Sequence, residues 1–259
     1  MLIDMCGYLG HWPFRKINNN DVESFVKVMD DYKINLSVVS SLNAVFYKDT
    51  MQGNEEIAEE IKPYSDRLVA FCVINPAYPA WEKDFRTCIE KLGMKGLMMY
   101  PYYHPYRLTE ANAIRLANLA GEAGIPVHIP VSIINVRQRH WLDTTEILNT
   151  SDFIALIKNA PNTDFIVSNG ATDAIAAAAK DADSKRKGKV YYDFQRVEVF
   201  LPSFERLLAT VGPEQIVLGT GNPLQYLDTQ FVKLHYMDVS DEVKDLITYK
   251  NAARLLKLA

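Results

Sequence analysis

Leu2-Ile3-Asp4-Met5-Cys6-Gly7-Tyr8-Leu9-Gly10-His11-Trp12-Pro13-Phe14 is the stretch whose reading decides the fold. Its apolar start predicts a strand near Leu2–Cys6. Side chains alternate between the two faces of a strand, so Cys6 and Tyr8, two apart, project to the same side. Gly10 and the aromatic, proline-bearing run from His11 to Phe14 then read as a loop.

Working outward from that strand, short apolar runs recur about every 30 residues with amphipathic helical patterns between them, the signature of parallel βαβ units. They predict strands near Leu36–Ser41, Arg67–Ile74, Gly96–Tyr100, Val127–Val131, Phe165–Asn169, Val190–Phe194 and Ile216–Thr220. The helices between them are predicted at Val22–Tyr32 capped by Asp21, Glu55–Lys62 opened by Asn54, Trp81–Leu92 stopped by Gly93 and Ala111–Ala123 stopped by Gly124. Further helices are predicted at Asp152–Asn159, Asp173–Ala182, Ser203–Thr210 and as a pair within Asp241–Leu258. Eight strands in a chain of 259 residues predict one domain, residues 1-259. The fold class is α/β, a closed (β/α)8 TIM barrel, which typically needs about 250 residues.

Composition narrows the function classes. Apolar content of 48% supplies ample core, and a net charge of −4 gives no electrostatic case for nucleic acid or a membrane surface. No apolar run is long enough to span a bilayer, and no secretory leader is visible, so the expected location is cytoplasmic. Three widely spaced cysteines, Cys6, Cys72 and Cys88, fit a reducing compartment and form no zinc-knuckle spacing. Lys185-Arg186-Lys187 reads as a solvated turn, and the sequons at Asn35 and Asn149 as chance matches.

Several segments in order resemble the amidohydrolase-related family, the second amidohydrolase group, whose members include carboxymuconate-semialdehyde decarboxylase-type enzymes. They are Asn54-Glu55-Glu56-Ile57-Ala58-Glu59, Asp66-Arg67-Leu68-Val69-Ala70-Phe71 and Val73-Ile74-Asn75-Pro76 around the third strand. They continue with Gly93-Met94-Lys95-Gly96-Leu97-Met98-Met99-Tyr100-Pro101, Gly124-Ile125-Pro126-Val127 and the closing Asn251-Ala252-Ala253-Arg254-Leu255. The resemblance spans essentially the whole chain and implies a barrel of the amidohydrolase type. It also implies a divalent ion, usually zinc, that lowers the pKa of a bound water.

In that family the ligands are two histidines on strand one, histidines ending strands five and six, and an aspartate after strand eight. At the matching positions this chain has Cys6, Tyr8, Pro130, Asn169 and Gly221. Proline and glycine offer no side-chain ligand, and a catalytic zinc needs about three strong ones. The expectation is therefore no metal and no other cofactor, with loss of the aspartate removing a proton carrier as well.

What remains to do chemistry is sparse. His128 lies two residues before Pro130 and faces the same lumen one layer deeper, either as a buried acid/base or partner of Cys6, or as a core histidine bonded to Asp4, a tyrosine or backbone. Tyr8 and Asn169 are candidates to hydrogen-bond a substrate carbonyl or carboxylate, or to close a polar plug. Asp193 is the acid left near a strand end to serve as a base. Substrate-binding candidates are Cys6, His11 and Trp12 at the first loop, Tyr102 and His104 after strand four, and Arg137, Arg139 and Arg196, since an arginine over a barrel mouth suits a carboxylate.

Two readings follow. In the first, the chain is a hydrolase or decarboxylase acting on a small organic acid or lactone without the family's zinc. In the second, it is a catalytically silent barrel, a ligand-binding module or the partner subunit of an active homologue. The expected partners are a small-molecule ligand, a carboxylate above all, and a second copy or a homologue in a dimer; no nucleic acid or membrane is expected.

Overall fold

The computed structural model describes residues 1–170, 172–196 and 202–258. Eight parallel strands, β1 (Ile3–Leu9), β2 (Leu36–Ser41), β3 (Leu68–Val73), β4 (Gly96–Met98), β5 (Val127–Pro130), β6 (Phe165–Ser168), β7 (Val190–Asp193) and β8 (Ile216–Val217), pair in sequence order. The ring closes where Met5 N donates to Leu218 O (2.8 Å), Gly221 N to Cys6 O (2.6 Å) and Tyr8 N to Asn222 O (2.8 Å). The chain is thus an α/β, (β/α)8 TIM barrel.

Every strand is hydrophobic on both faces, as a sheet buried on both sides requires. Inward residues such as Ile3, Val38, Phe71, Met98, Ile166, Tyr191 and Val217 fill the axis, while Val39, Ala70, Leu97, Val127 and Phe165 face the helical ring. The ring comprises α1 (Val22–Asp31), α2 (Leu42–Phe46), α3 (Thr50–Glu60), α4 (Trp81–Glu90), α5 (Ala111–Ala123), α6 (Thr150–Asn159), α7 (Thr172–Ser184), α8 (Ser203–Val211) and α9 (Leu227–Tyr236). It ends in α10 (Asp241–Asp245), a π turn over Leu246–Lys250 and α11 (Asn251–Leu256), which run on without a break. Among the described residues no helix is long and apolar enough to cross a membrane.

Asp21 caps α1 through Ser24 N, as its position implied. Asn54 does not open a helix. α3 begins four residues earlier, at Thr50, with Asp49 as its cap. Asn54 instead lies buried inside the helix and holds the end of β3, its amide donating to Val73 O (2.8 Å) and accepting from Val73 N (2.8 Å). The short α2 and α9 escape the sequence reading, the first because five residues give too few turns for a periodic signal. The basic run is also corrected: Arg186 is buried, donating to Ala160 O (3.1 Å), Thr163 O and Asp183 and lying over the Phe165 ring. Asn149, read as a chance sequon, is the cap of α6, and Asn35 accepts from Leu2 N.

Asn251 shows why a side-chain amide suits the closing helix. Its Nδ2 donates to Ile216 O (2.8 Å) and Pro213 O (2.7 Å), tying α11 to the start of β8. Asn54 does the same for β3 and gives a measurable consequence. Asn54→Ala strands a backbone donor and an acceptor in the interior, each of which costs about 1–3 kcal/mol. Urea unfolding is expected to show a loss of roughly 2–4 kcal/mol with the m-value unchanged.

Candidate active site

The C-terminal ends of the strands gather one buried polar cluster. β1 supplies Cys6 and Tyr8, β5 His128, β6 Ser168 and Asn169, and β7 Asp193, followed by Gln195 and Arg196. Alternation alone does not place the first pair. The pairing of β1 with β2 shifts between Asp4 and Gly7, and that irregularity sets which side chains look inward. Cys6 Sγ donates to Tyr8 Oη (3.5 Å), Tyr8 Oη accepts from Asn169 Nδ2 (3.0 Å), and His128 Nε2 meets Ser168 Oγ at 2.7 Å. Ser168 Oγ lies 4.0 Å from Cys6 Sγ, so thiol, hydroxyl and imidazole form one chain across three strands.

Asn169 is held at φ +63°, a left-handed conformation rare outside glycine. Arg196 fixes it there. Its guanidinium donates to Asn169 O (2.9 Å), Ser132 Oγ (2.9 Å) and Ile133 O (2.8 Å), so it bridges the ends of β5 and β6.

Burial sets the charge states. It pushes the Cys6 thiol up, with Asp193 adding to the push, so Cys6 is a neutral thiol and not a nucleophilic thiolate. Tyr8 is raised by the same cause. His128 is driven down to about 3 by loss of water alone, and is a neutral imidazole at physiological pH. Asp193 is the exception, a buried carboxyl raised to about 7. Desolvation outweighs the hydrogen bond from Gln195 N (2.6 Å), and Asp4 adds to the rise. Asp193 Oδ2 has no hydrogen-bond partner among the described residues, and a Cβ at Gly219 would run into it and also approach Cys6 Cβ.

The other predicted residues divide. Trp12 is buried in the same cluster as Cys6 and Tyr8. With Phe14, Phe46 and Tyr103 it forms an edge-to-face aromatic cap, ring centroids 5.3–6.3 Å apart, over the mouth. Tyr102 is anchored through its hydroxyl to Pro130 O (2.6 Å). His104 is buried against Val45 O (3.2 Å) and lowered to about 4 by desolvation, a packing role. His11 and Arg137 are exposed and outside the cluster, and Arg139 reaches only Thr144 O (3.4 Å). Gln195 follows strand seven beside Arg196, at the mouth as its place in the sequence suggests. Ser168, which links His128 to Cys6, is not predicted, because a lone serine near a strand end carries no signal in sequence.

The sequence model of the amidohydrolase family matches residues 8–258. This chain belongs to that family. The barrel is similar to that of a Staphylococcus aureus protein described as a candidate amidohydrolase, with 17% identity, a TM-score of 0.78 and 99% of each chain covered. It is similar to 5-carboxyvanillate decarboxylase of Sphingomonas paucimobilis, with 13% identity, a TM-score of 0.78 and coverage of 100% of this chain and 99% of that one. It also resembles 2,6-dihydroxybenzoate decarboxylase of Rhizobium, with 13% identity, a TM-score of 0.75 and coverage of 99% and 98%. No functionally curated protein matches the chain.

The amidohydrolase barrel implies a divalent ion, and the donor set at its expected ligand positions does not fit one. Cys6 and Tyr8 are neutral and buried, Asn169 gives its amide to Tyr8, and Pro130 has no donor atom. Gly221 is more telling. It sits at φ +67°, and a Cβ there would run into Gln195 Nε2, which donates to Thr220 O (3.1 Å). Gln195, two residues beyond β7, fills the space that a side chain at Gly221 would need. Among the described residues no group of three or more His, Cys, Asp or Glu side chains is placed to hold a metal.

His128 gives a pH signature. Its pKa falls from about 6.5 unfolded to about 3 folded, so the stability it confers is present above 6.5 and lost as pH falls towards 3. Replacing it by glutamine removes that proton uptake. The slope of unfolding free energy against pH between 6 and 4 is then expected to be shallower by up to about 1.4 kcal/mol per pH unit, measured by urea titration across that range.

Proposed function

We propose that this amidohydrolase-family barrel acts on a small organic acid, an aromatic carboxylate by preference, through proton transfer at the mouth and without the family's divalent ion. The observation that carries this reading is Asp193, a carboxyl held near pKa 7 inside the mouth with one oxygen unpaired among the described residues. General acids and bases work best with a pKa near the working pH, and positioned proton transfer is worth about 10²–10⁴ in rate. Loss of water raises that value most; the hydrogen bond from Gln195 N lowers it, Asp4 raises it further, and Lys233 and Arg196 lower it.

The similar decarboxylases act on aromatic acids, and decarboxylation asks for one proton donor. Asp193 in its acid form gives its proton to the ring carbon that carries the carboxylate. The bond from that carbon to the carboxylate breaks, carbon dioxide leaves, and Asp193 regains a proton from water. Arg196, lying near Tyr8, Tyr102, Cys6 and Asp193, supplies the positive charge that faces the substrate carboxylate. Tyr8 and Asn169 contribute neutral hydrogen bonds, and His128 steadies Ser168 without taking a proton itself at neutral pH. Hydrolysis of a lactone would use the same Asp193 in its basic form.

One observation favours the second reading, a silent barrel that binds a ligand or partners an active homologue. The cluster is closed over by Trp12 and its aromatic neighbours, and Cys6, Tyr8, Asn169 and Asp193 are all buried. The two readings separate on turnover. The protein, incubated with 2,6-dihydroxybenzoate, other hydroxybenzoates and small lactones, is expected to release product in the presence of EDTA. The decarboxylation rate falls as pH rises through about 7, because the acid form is lost. Asp193→Asn lowers the rate at least about 100-fold. The same variant gives a readout independent of activity. The folded pKa of Asp193 is raised, so its contribution to stability is lost as pH rises through about 7, and the asparagine variant is expected to melt higher than the parent at pH 8. Saturable binding with no turnover on any of these acids would support the silent barrel. About one tightly held divalent ion per chain by elemental analysis would sink the metal-free part of the proposal.

A further inference from the structure

A cleft of about 610 Å³ lies beside the mouth, between the loop that follows β4 and the loop that follows β5. It falls within the roughly 300–1,000 Å³ typical of small-molecule sites. Its walls are Tyr102 and Tyr106 on one side and Leu148 and Ile147 on the other, with Leu108 between. Both walls are pinned to the barrel. Tyr102 is anchored to Pro130 O, and Leu148 N donates to Val131 O (2.9 Å). One end is tied by Arg107, whose Nε and Nη2 meet both carboxylate oxygens of Asp152 at 3.1 and 3.0 Å. Such a clamp fixes the two loops relative to each other before any ligand arrives.

Two features remain unbalanced. Ile147 is 54% exposed at the rim, apolar surface that a ligand would cover. Arg107 and Asp152 neutralise each other, whereas Glu146, also lining the cleft, forms no ion pair among the described residues. The lining therefore carries one net negative charge beside two tyrosine rings, and ring faces attract cations as well.

We propose that this cleft is a binding site, separate from the barrel mouth, for a small aromatic amine, its ring between Tyr106 and Ile147 and its ammonium towards Glu146. The mouth reading calls for an organic anion, so the two sites take ligands of opposite charge, and a result at one leaves the other standing.

The test is isothermal titration of the full chain with tyramine and with phenylacetate, a pair that shares the aromatic body and differs in the sign of the charge. Tyramine is expected to bind saturably in the cleft, and any phenylacetate binding, which the mouth reading allows, is expected to be unaffected by Ile147→Trp. Glu146→Gln is expected to weaken tyramine about threefold, the size of a solvent-screened charge contact. Ile147→Trp fills the cleft from an exposed position and is expected to abolish tyramine binding with the melting temperature unchanged. Saturable binding of phenylacetate that Ile147→Trp abolishes would overturn the assignment. So would tyramine binding that Ile147→Trp leaves intact, or no saturable binding of either probe.

Discussion

The carboxylate of Asp4 is the contact on which the rest depends. It is buried and accepts four hydrogen bonds: from Ser37 Oγ (2.7 Å) on β2, from Thr220 N (2.8 Å) and Thr220 Oγ1 (2.8 Å) beyond β8, and from Cys6 N (3.0 Å) on its own strand. A closed parallel barrel must join its first strand to its last, and here the backbone ladder at that seam is short. One side chain therefore ties β1 to both neighbours at once. Its bond to Cys6 N also sits within the register shift of β1, so Asp4 helps decide that Cys6 and Tyr8 point where they do. Burial raises its pKa while the four donors lower it, and the balance falls on the raised side.

Around that seam the mouth is lined mostly by buried polar groups. Loss of water silences Cys6, Tyr8 and His128 as charged species, and leaves Asp193 as the buried group that titrates near neutrality. These groups are interdependent. Gln195 occupies the volume that any side chain at Gly221 would need, and Asn169 keeps its left-handed conformation because Arg196 grips its carbonyl and Tyr8 receives its amide. A side chain introduced at Gly221 alone would meet Gln195 first. Interlocked side chains of this kind resist single substitutions more than isolated ones do.

The same face of the barrel carries a second region with different physics. The mouth is desolvated, rich in polar atoms unpaired among the described residues and covered by aromatic rings, whereas the cleft beside it is open and mixes tyrosine and aliphatic walls with Arg107, Glu146 and Asp152. Tyr102 is shared by both. Its hydroxyl ends on Pro130 O and the residue also lines the cleft. Placing both regions on loops at the C-terminal ends of the strands lets ligand chemistry vary while the barrel beneath stays fixed.

The sequence by itself determined the barrel. Strand positions follow from apolar runs and helix stops from Gly93 and Gly124, both at positive φ, because these are local consequences of side-chain periodicity and backbone sterics. It also gives Cys6, Tyr8, Pro130, Asn169 and Gly221 as the residues at the positions where the resemblance implies ligands, since residue identity is all that question needs. Tertiary structure decided what surrounds them. That Gln195 fills the void at Gly221, that Ser168 links His128 to Cys6, that Asn54 and Arg186 serve the interior, and that Asp193 titrates near 7 all arise from groups distant in sequence brought together without water. Burial and proximity are properties of the assembled barrel, and a linear pattern of residues does not encode them one position at a time.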